Sequence, residues 1–235
     1  MWLDRHKLLV KTNRSMGELG MNKTTLLLGA SLFLPLAAFA GPSYNYIQGD
    51  YVVDGDLEIE GAGSTDFDGW NVKFSGAILP HLFIQGEHTE LDIDNISDDQ
   101  DFTSLAIGGN FSALPSNSPM QLDVFGTVSY ELLNDAVDAD GYGVTVGLRF
   151  LPIERIEISP FVGYVDYGQI ENFGPPRADL DGLRYGVEAI VKLIDCLALT
   201  ASYRQSELEV DFDGPGGSGD LDFSDQVRVG LRLYL

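Results

Sequence analysis

The chain has 235 residues, of which 44% are hydrophobic, and its 14 Lys and Arg against 36 Asp and Glu give a formal net charge of −22. The apolar content excludes a disordered acidic chain, and a single cysteine excludes a disulfide framework or a cysteine-rich zinc site. The acidity argues against a nucleic-acid partner, because binding DNA or RNA requires a basic face that displaces counterions.

The first predicted element is a secretory signal peptide over residues 21–40. Lys23 precedes the apolar run TTLLLGASLFLPLAAFA, and its A-x-A ending predicts cleavage after Ala40. The alternative is a transmembrane helix, but the run is short, contains Pro35 and is followed by turn residues. Residues 1–20 are interpreted as an upstream extension, with translation starting at Met21.

The predicted mature chain, 41–235, forms one domain of ten segments in which apolar and polar residues alternate with period two. The first forty residues carry five cations and two anions, so their removal takes the net charge from −22 to −25. The segments are 44–53, 69–79, 81–91, 102–112, 120–132, 141–151, 155–167, 182–193, 196–208 and 223–235. Their length of about ten residues suits membrane-crossing β-strands.

The connections between segments are alternately short and long. The long ones are acidic and cover 54–68, 92–101, 133–140, 168–181 and 209–222. Short periplasmic turns and long external loops are typical of an outer-membrane barrel, so we predict an all-β fold: a ten-stranded antiparallel transmembrane β-barrel with long acidic external loops. The alternatives are an eight-stranded barrel with one hairpin in the loops and a soluble secreted β-sandwich.

Aromatic residues near the externally facing ends of nine segments predict a girdle at the level of the lipid headgroups. They are Tyr51, Trp70, Phe102, Tyr130, Tyr142, Tyr164 (or Tyr167), Tyr185, Tyr203 and Phe223. Segment 81–91 has no aromatic there and carries His88 instead.

The chain resembles the small outer-membrane β-barrel superfamily that includes OmpA-like and OmpX-like proteins. The motifs Ser43-Tyr44-Asn45-Tyr46 and Asp66-Phe67-Asp68-Gly69-Trp70 are similar to those of ten-stranded, vesicle-associated barrels. The resemblance implies an outer-membrane location, possible release in vesicles, and assembly by machinery that reads the C-terminal strand. Such chains usually end in an aromatic, whereas this one ends in Tyr234-Leu235.

The alternation also predicts a charged lumen, because a charge on the lipid face costs ~2–4 kcal/mol near the midplane. The predicted inward charges are Lys73, Glu87, Asp123, Glu131, Arg149, Arg184, Glu188, Lys192, Arg204, Arg228 and Arg232, with Glu157 less certain. A barrel of about eight strands is filled by its own side chains and wide channels need about 16. We therefore expect a salt-bridged, side-chain-filled lumen, with a narrow porin-like channel for ions or small solutes as the alternative.

The motif Asp-x-Asp-Gly recurs at 66–69, 138–141, 179–182 and 211–214. Turn chemistry explains it; divalent cation binding by carboxylates is the alternative. The best candidate for weak Ca²⁺ or Mg²⁺ binding has acids spaced like those of an EF-hand loop: Glu209, Asp211, Asp213 and Asp220. No other cofactor is expected.

Catalysis at the rim would require a base beside a nucleophile or paired acids. The mature chain offers only His81 and His88, and no enzyme motif surrounds them. The sequence therefore favours a non-enzymatic barrel that acts in envelope structure or surface interaction and contacts outer-membrane lipid and lipopolysaccharide. A lipid A-modifying rim enzyme is the second alternative.

Overall fold

The computed structural model describes residues 42–235, except 60, 62, 95–98, 116, 171–177 and 213–216. The predicted extension and signal peptide lie outside the described residues. No helix in the part that the structure describes is long and apolar enough to cross a membrane.

Ten strands form the fold. They are β1 (Tyr46–Ile59), β2 (Gly63–Leu79), β3 (Leu82–Ile93), β4 (Gln100–Ser112), β5 (Gln121–Asp135), β6 (Ala139–Ile153), β7 (Ile156–Gln169), β8 (Ala178–Ile194), β9 (Leu197–Phe212) and β10 (Ser218–Tyr234). Each strand pairs antiparallel with its neighbours in the chain, and β1 pairs with β10 to close the sheet. The ten-stranded barrel is therefore confirmed, and the eight-stranded and sandwich alternatives are wrong.

Near the periplasmic ends of the strands, apolar side chains point out and polar ones point in. On β10, Val227, Val229, Leu231 and Leu233 are exposed on the outer surface, whereas Arg228 and Arg232 between them are buried in the lumen. This is the reverse of a water-soluble protein. It suits a barrel surrounded by hydrocarbon, because only the inside can solvate charge.

The strands extend beyond the predicted segments at their external ends. The five external connections span 60–62, 94–99, 136–138, 170–177 and 213–217, and so are much shorter than the predicted loops. Most of the acidic residues that the sequence pattern assigned to loops belong to strands instead. Asp56 of β1, for example, pairs with Asp66 of β2.

In these external extensions the alternation changes sense, with apolar residues inside and acids outside. Leu180 is buried in the barrel between exposed Asp179 and partly exposed Asp181. The buried apolar residues form a hydrophobic cluster that we call the outer plug: Val52, Leu57, Phe67, Leu91, Ile93, Leu133, Ala139, Val165, Tyr167, Ile170, Ala178, Leu180, Leu208 and Phe223. The extensions therefore pack like a water-soluble barrel, because water rather than lipid surrounds them.

Glycines mark the level at which the alternation changes sense. An ideal Cβ on Gly141 would lie 1.8 Å from the carbonyl oxygen of Asp166 on the adjacent strand. Gly69 and Gly182, which end the same Asp-x-Asp-Gly motif, would each place a Cβ 2.0 Å from a neighbouring carbonyl oxygen. The glycine of this motif thus permits a close approach between strands rather than a turn.

Candidate functional site: the lumen and the outer rim

The lumen holds a layer of ion pairs centred on Glu87. The Glu87 Oε1 atom accepts hydrogen bonds from Arg204 Nη1 at 2.6 Å and from Arg228 Nη1 at 3.2 Å. Lys73 Nζ lies 3.8 Å from the other carboxylate oxygen. These groups come from β2, β3, β9 and β10, so a single carboxylate links four strands across the inside of the barrel.

Three further ion pairs extend this ionic layer. Arg184 Nη2 binds Glu131 Oε1 at 2.8 Å, and Arg232 Nη2 binds Glu188 Oε2 at 2.6 Å. Arg149 forms a two-pronged pair with Glu157, at 2.5 and 3.0 Å. Arg184 also binds Glu131 through both Nη atoms, at 2.8 and 3.2 Å, so both pairs have the bidentate geometry that makes an ion pair directional.

Two predicted lumen residues make other contacts. Asp123 is buried and accepts a hydrogen bond from Ser112 Oγ at 2.7 Å. Lys192 lies with its Nζ 5.1 Å from the centre of the Tyr234 ring, and no acidic residue in the described ranges forms an ion pair with it. The other nine predicted charges all take part in ion pairs.

Sequence reasoning missed the part that β1 plays in the lumen. Gln48 Nε2 donates to Asp50 at 2.8 Å and to Glu188 at 2.8 Å, and Asp50 accepts from Thr200 Oγ1 at 2.7 Å. Tyr46, Gln48 and Val52 of β1 are buried in the lumen, but the first segment gives no clear hydrophobic face from which to predict this.

The N-terminal residues pack into the periplasmic end of the lumen. The Tyr44 ring packs on Phe83 with centroids 4.5 Å apart, and the Arg149 guanidinium lies 4.4 Å from the centre of the Tyr44 ring. Arg149 Nη1 also donates to the Ser43 carbonyl oxygen at 2.8 Å. Ser43 and Tyr44 begin one of the two motifs that supported the family resemblance, and both therefore pack into the barrel.

A cavity of about 170 Å³ is lined by residues of the ionic layer and by hydroxyls such as Ser104 and Thr127. Phe102 and Tyr167 line the same cavity. The lumen thus holds a small chamber lined by both charged and apolar side chains, with Phe102 and Tyr167 on the side of the outer plug.

Seven of the nine predicted girdle residues face outward: Tyr51, Trp70, Tyr130, Tyr142, Tyr164, Tyr185 and Tyr203. Four of these tyrosines donate their hydroxyls to carboxylates of the following strand. The pairs are Tyr130–Asp140 at 2.7 Å, Tyr185–Glu207 at 2.6 Å, Tyr164–Asp181 and Tyr203–Asp225. The phenol rings thus connect the lipid-facing belt to the acidic surface beyond it.

Phe102 and Phe223 were wrongly predicted to join the girdle. Both pack into the outer plug, with their ring centroids 5.2 Å apart. Phe102 follows the simple alternation of β4, in which Leu105 and Ile107 face outward, so its sequence already indicated an inward position. Phe223 lies inward because the β9–β10 register shifts between Phe223 and Gln226.

Glu209, Asp211 and Asp220 lie on strands rather than in the predicted EF-hand-like loop. Glu209 lies on β9 directly opposite Asp220 on β10, and Asp211 lies opposite Ser218. Glu209, Asp211 and Asp220 therefore share one face of an antiparallel strand pair instead of surrounding an ion as a loop does, and weak divalent cation binding at these acids stays a prediction. Asp213 lies outside the described residues.

Acidic residues instead form rows across the outer surface beyond the girdle. Asp166, Asp181, Glu209 and Asp220 are successive partners on β7, β8, β9 and β10. Like charges directly opposite each other destabilise a sheet. The closely spaced carboxylates on this surface therefore repel one another.

The candidate catalytic residues form no complete acid–base arrangement. His88 Nδ1 lies 2.9 Å from Thr103 Oγ1, but no carboxylate in the described ranges hydrogen-bonds to the ring. His81 is exposed next to the turn between β2 and β3. Cys196 is exposed beside the β8–β9 turn.

These features define a small membrane-spanning β-barrel with an ion-paired lumen and a hydrophobic plug at its external end. No protein family and no curated protein matches the sequence.

Among solved structures, Neisserial surface protein A is 13% identical over 82% of this chain and 98% of that one, with a TM-score of 0.38. The KdgM porin in complex with disordered oligogalacturonate is 12% identical over 81% and 99%, with a TM-score of 0.39. The outer membrane protease OmpT from Escherichia coli is 10% identical over 85% and 99%, with a TM-score of 0.43. A surface protein, a porin and a protease thus share this likeness, so it assigns no function to this chain.

Proposed function

We propose that this chain is a sealed outer-membrane barrel that acts in envelope structure and surface interaction, without transport or catalysis. The outer plug is the observation that carries this proposal. Its buried residues come from nine of the ten strands or the segments next to them, which supports a lumen closed at its external end.

An ion crossing this lumen would lose its hydration shell at the plug. Phe67, Leu208 and Phe223 are each at most 5% exposed, and they offer no polar atom to replace lost water. The fixed charges below the plug are largely paired with one another. The filled lumen would make such a barrel rigid and leave no conducting path.

Single-channel recording on the folded protein in planar bilayers tests the proposal. We expect no stepwise conductance, while heat-modifiable gel migration of the same sample shows that the barrel is folded. Reproducible conductance steps that follow insertion of the folded wild-type protein would overturn the sealed lumen and favour the narrow channel.

For the surface role, we propose that divalent cations join the acidic rows to the phosphates of lipopolysaccharide. Carboxylate oxygens suit Mg²⁺ and Ca²⁺. Their density on β7–β10 supports a shared layer of cations at this surface. The barrel would then contribute to envelope structure through contacts at its rim.

Binding of the folded protein to lipopolysaccharide-containing vesicles, with Mg²⁺ and with EDTA, tests this surface role. The variant Asp181→Asn/Glu209→Gln/Asp220→Asn should lose Mg²⁺-dependent binding. Asp195→Asn, at the periplasmic turn between β8 and β9, is the matched control and should bind as the wild type does. Equal binding by both variants would contradict the acidic rows as the contact surface.

A further inference from the structure

His88, Glu90 and Asp101 lie together on the outer face of β3 and β4, at the level of the girdle. The strand register places Glu90 directly opposite Asp101 and His88 opposite Thr103. One potential ligand atom from each of the three residues lies within 4.8 Å of the other two. All three side chains are half-buried, so the group is accessible from outside yet partly screened from water.

The His88 ring is oriented before any ligand arrives. Its Nδ1 lies 2.9 Å from Thr103 Oγ1, and the Trp70 ring meets it edge to face with centroids 5.2 Å apart. If Nδ1–H donates to the threonine hydroxyl, the lone pair is on Nε2. Metal-binding histidines are commonly held in this way by a hydrogen bond through the other ring nitrogen.

The two carboxylates lack a cationic partner. Like charges directly opposite each other destabilise an antiparallel pair. No lysine or arginine in the described ranges forms an ion pair with Glu90 or Asp101, and neither does His88. The three donors are close without bonding to one another, which leaves space for an ion between them.

We propose that His88, Glu90 and Asp101 bind one divalent transition-metal ion of the Zn²⁺ class on the outer surface of the barrel. Zn²⁺ bonds to imidazole nitrogen and carboxylate oxygen at about 2.0–2.2 Å. Two donors bonded to one tetrahedral ion are therefore about 3.4 Å apart, a separation that small side-chain rotations would reach from the 4.8 Å limit within which these atoms lie. The imidazole selects Zn²⁺ over Ca²⁺ and Mg²⁺, which prefer oxygen ligands alone. The outward side of the ion is left for water or another external ligand.

Calorimetric titration of the folded, metal-free protein in detergent with Zn²⁺ tests the site. We expect one saturable Zn²⁺ site per chain that excess Mg²⁺ does not displace. His88→Phe should abolish binding while supplying the aromatic ring that β3 lacks at the girdle. Thr103→Val should weaken the affinity by about 10–100-fold, because it removes the group that orients the histidine.

Two control variants distinguish Zn²⁺ binding at this site from nonspecific Zn²⁺ binding to acidic residues and from Zn²⁺ binding to the other histidine. Asp92→Asn changes an exposed acid of the same strand, and His81→Gln changes the other histidine of the described chain. Both should bind Zn²⁺ as the wild type does. Heat-modifiable migration confirms folding of every variant, and Glu90→Gln gives a second test of the site if His88→Phe fails to fold. Absence of saturable Zn²⁺ binding to the wild type, or unchanged binding by folded His88→Phe or Glu90→Gln, would overturn the proposal.

Discussion

Phe67 of β2 and Phe223 of β10 meet edge to face inside the barrel, with ring centroids 5.9 Å apart and an interplanar angle of 62°. The strand between them, β1, contributes Leu57 to the same cluster. The two rings lie where an open pore would have its external mouth. The external part of the barrel is thus stabilised by a conventional hydrophobic core.

Phe67→Ala should therefore destabilise the barrel strongly. Removing a buried phenylalanine typically costs about 3–5 kcal/mol, because burial is lost and a cavity is left. Urea unfolding of the protein in lipid vesicles would measure this loss. Asp66→Asn, on the exposed face next to it, should change stability by no more than about 0.5 kcal/mol. Similar small effects from both variants would show that the plug adds little to stability.

The sequence predicts the number and order of the strands because hydrophobic alternation is strong between the girdle and the periplasm. It does not predict their external length. Beyond the girdle, motifs such as Asp66-Phe67-Asp68 place acids on the outside of a strand, whereas acids and glycine together are also typical of turns. The change from a lipid to a water environment reverses which face of the strand is apolar. A prediction that assigns one apolar face to the whole strand therefore misses its external part.

The glycine at this reversal gives a second prediction. Gly141→Ala should destabilise the barrel by about 1–3 kcal/mol or more, because its Cβ would press on the backbone of β7 and the strands would have to separate. Gly49→Ala is the matched control, since a Cβ at Gly49 would meet nothing within 4 Å. Urea midpoints of the two variants in the same vesicles would measure the difference. A Gly141→Ala midpoint equal to that of Gly49→Ala would contradict the close-approach role.

Side-chain direction near a bulge is the other feature that the sequence could not give. Phe223 has the same parity as outward-facing Val227, yet it points inward. Asp225, between them, adopts a positive φ of 49°, and the pairing slips at this point. A slip of one residue moves every later side chain to the other face. In contrast, most lumen charges were predictable, since their strands are regular and a charge cannot face lipid.

Glu87→Gln should be among the most damaging changes in the ionic layer. It leaves Lys73, Arg204 and Arg228 close together without their common carboxylate, and breaking a buried ion pair in this way costs about 3–5 kcal/mol. Urea unfolding in vesicles would report the loss.

Glu154→Gln, an exposed acid in the turn between β6 and β7, is the matched control and should be neutral within about 0.5 kcal/mol. Replacing Arg204 by Met in the Glu87→Gln background should recover part of the stability, because it removes one of the uncompensated charges. If the double variant is less stable than Glu87→Gln alone, charge repulsion is not the main cause of the loss.

The acidic surface gives a pH-dependent prediction at Asp222, which lies beyond the girdle opposite Glu207 and Glu58. Partial loss of water raises the pKa of Asp222 above its ordinary 3.8, and the charge of Asp220 raises it further. The folded state then holds this proton more tightly than the unfolded state does. The contribution of this proton to the stability of the folded state is complete below the unfolded-state pKa of Asp222, and it disappears as the pH rises through the folded-state pKa. The stability of Asp222→Asn relative to the wild type should therefore increase between about pH 3 and pH 6, as measured by urea unfolding in vesicles at each pH. A difference that stays constant or decreases over this range would contradict the raised pKa.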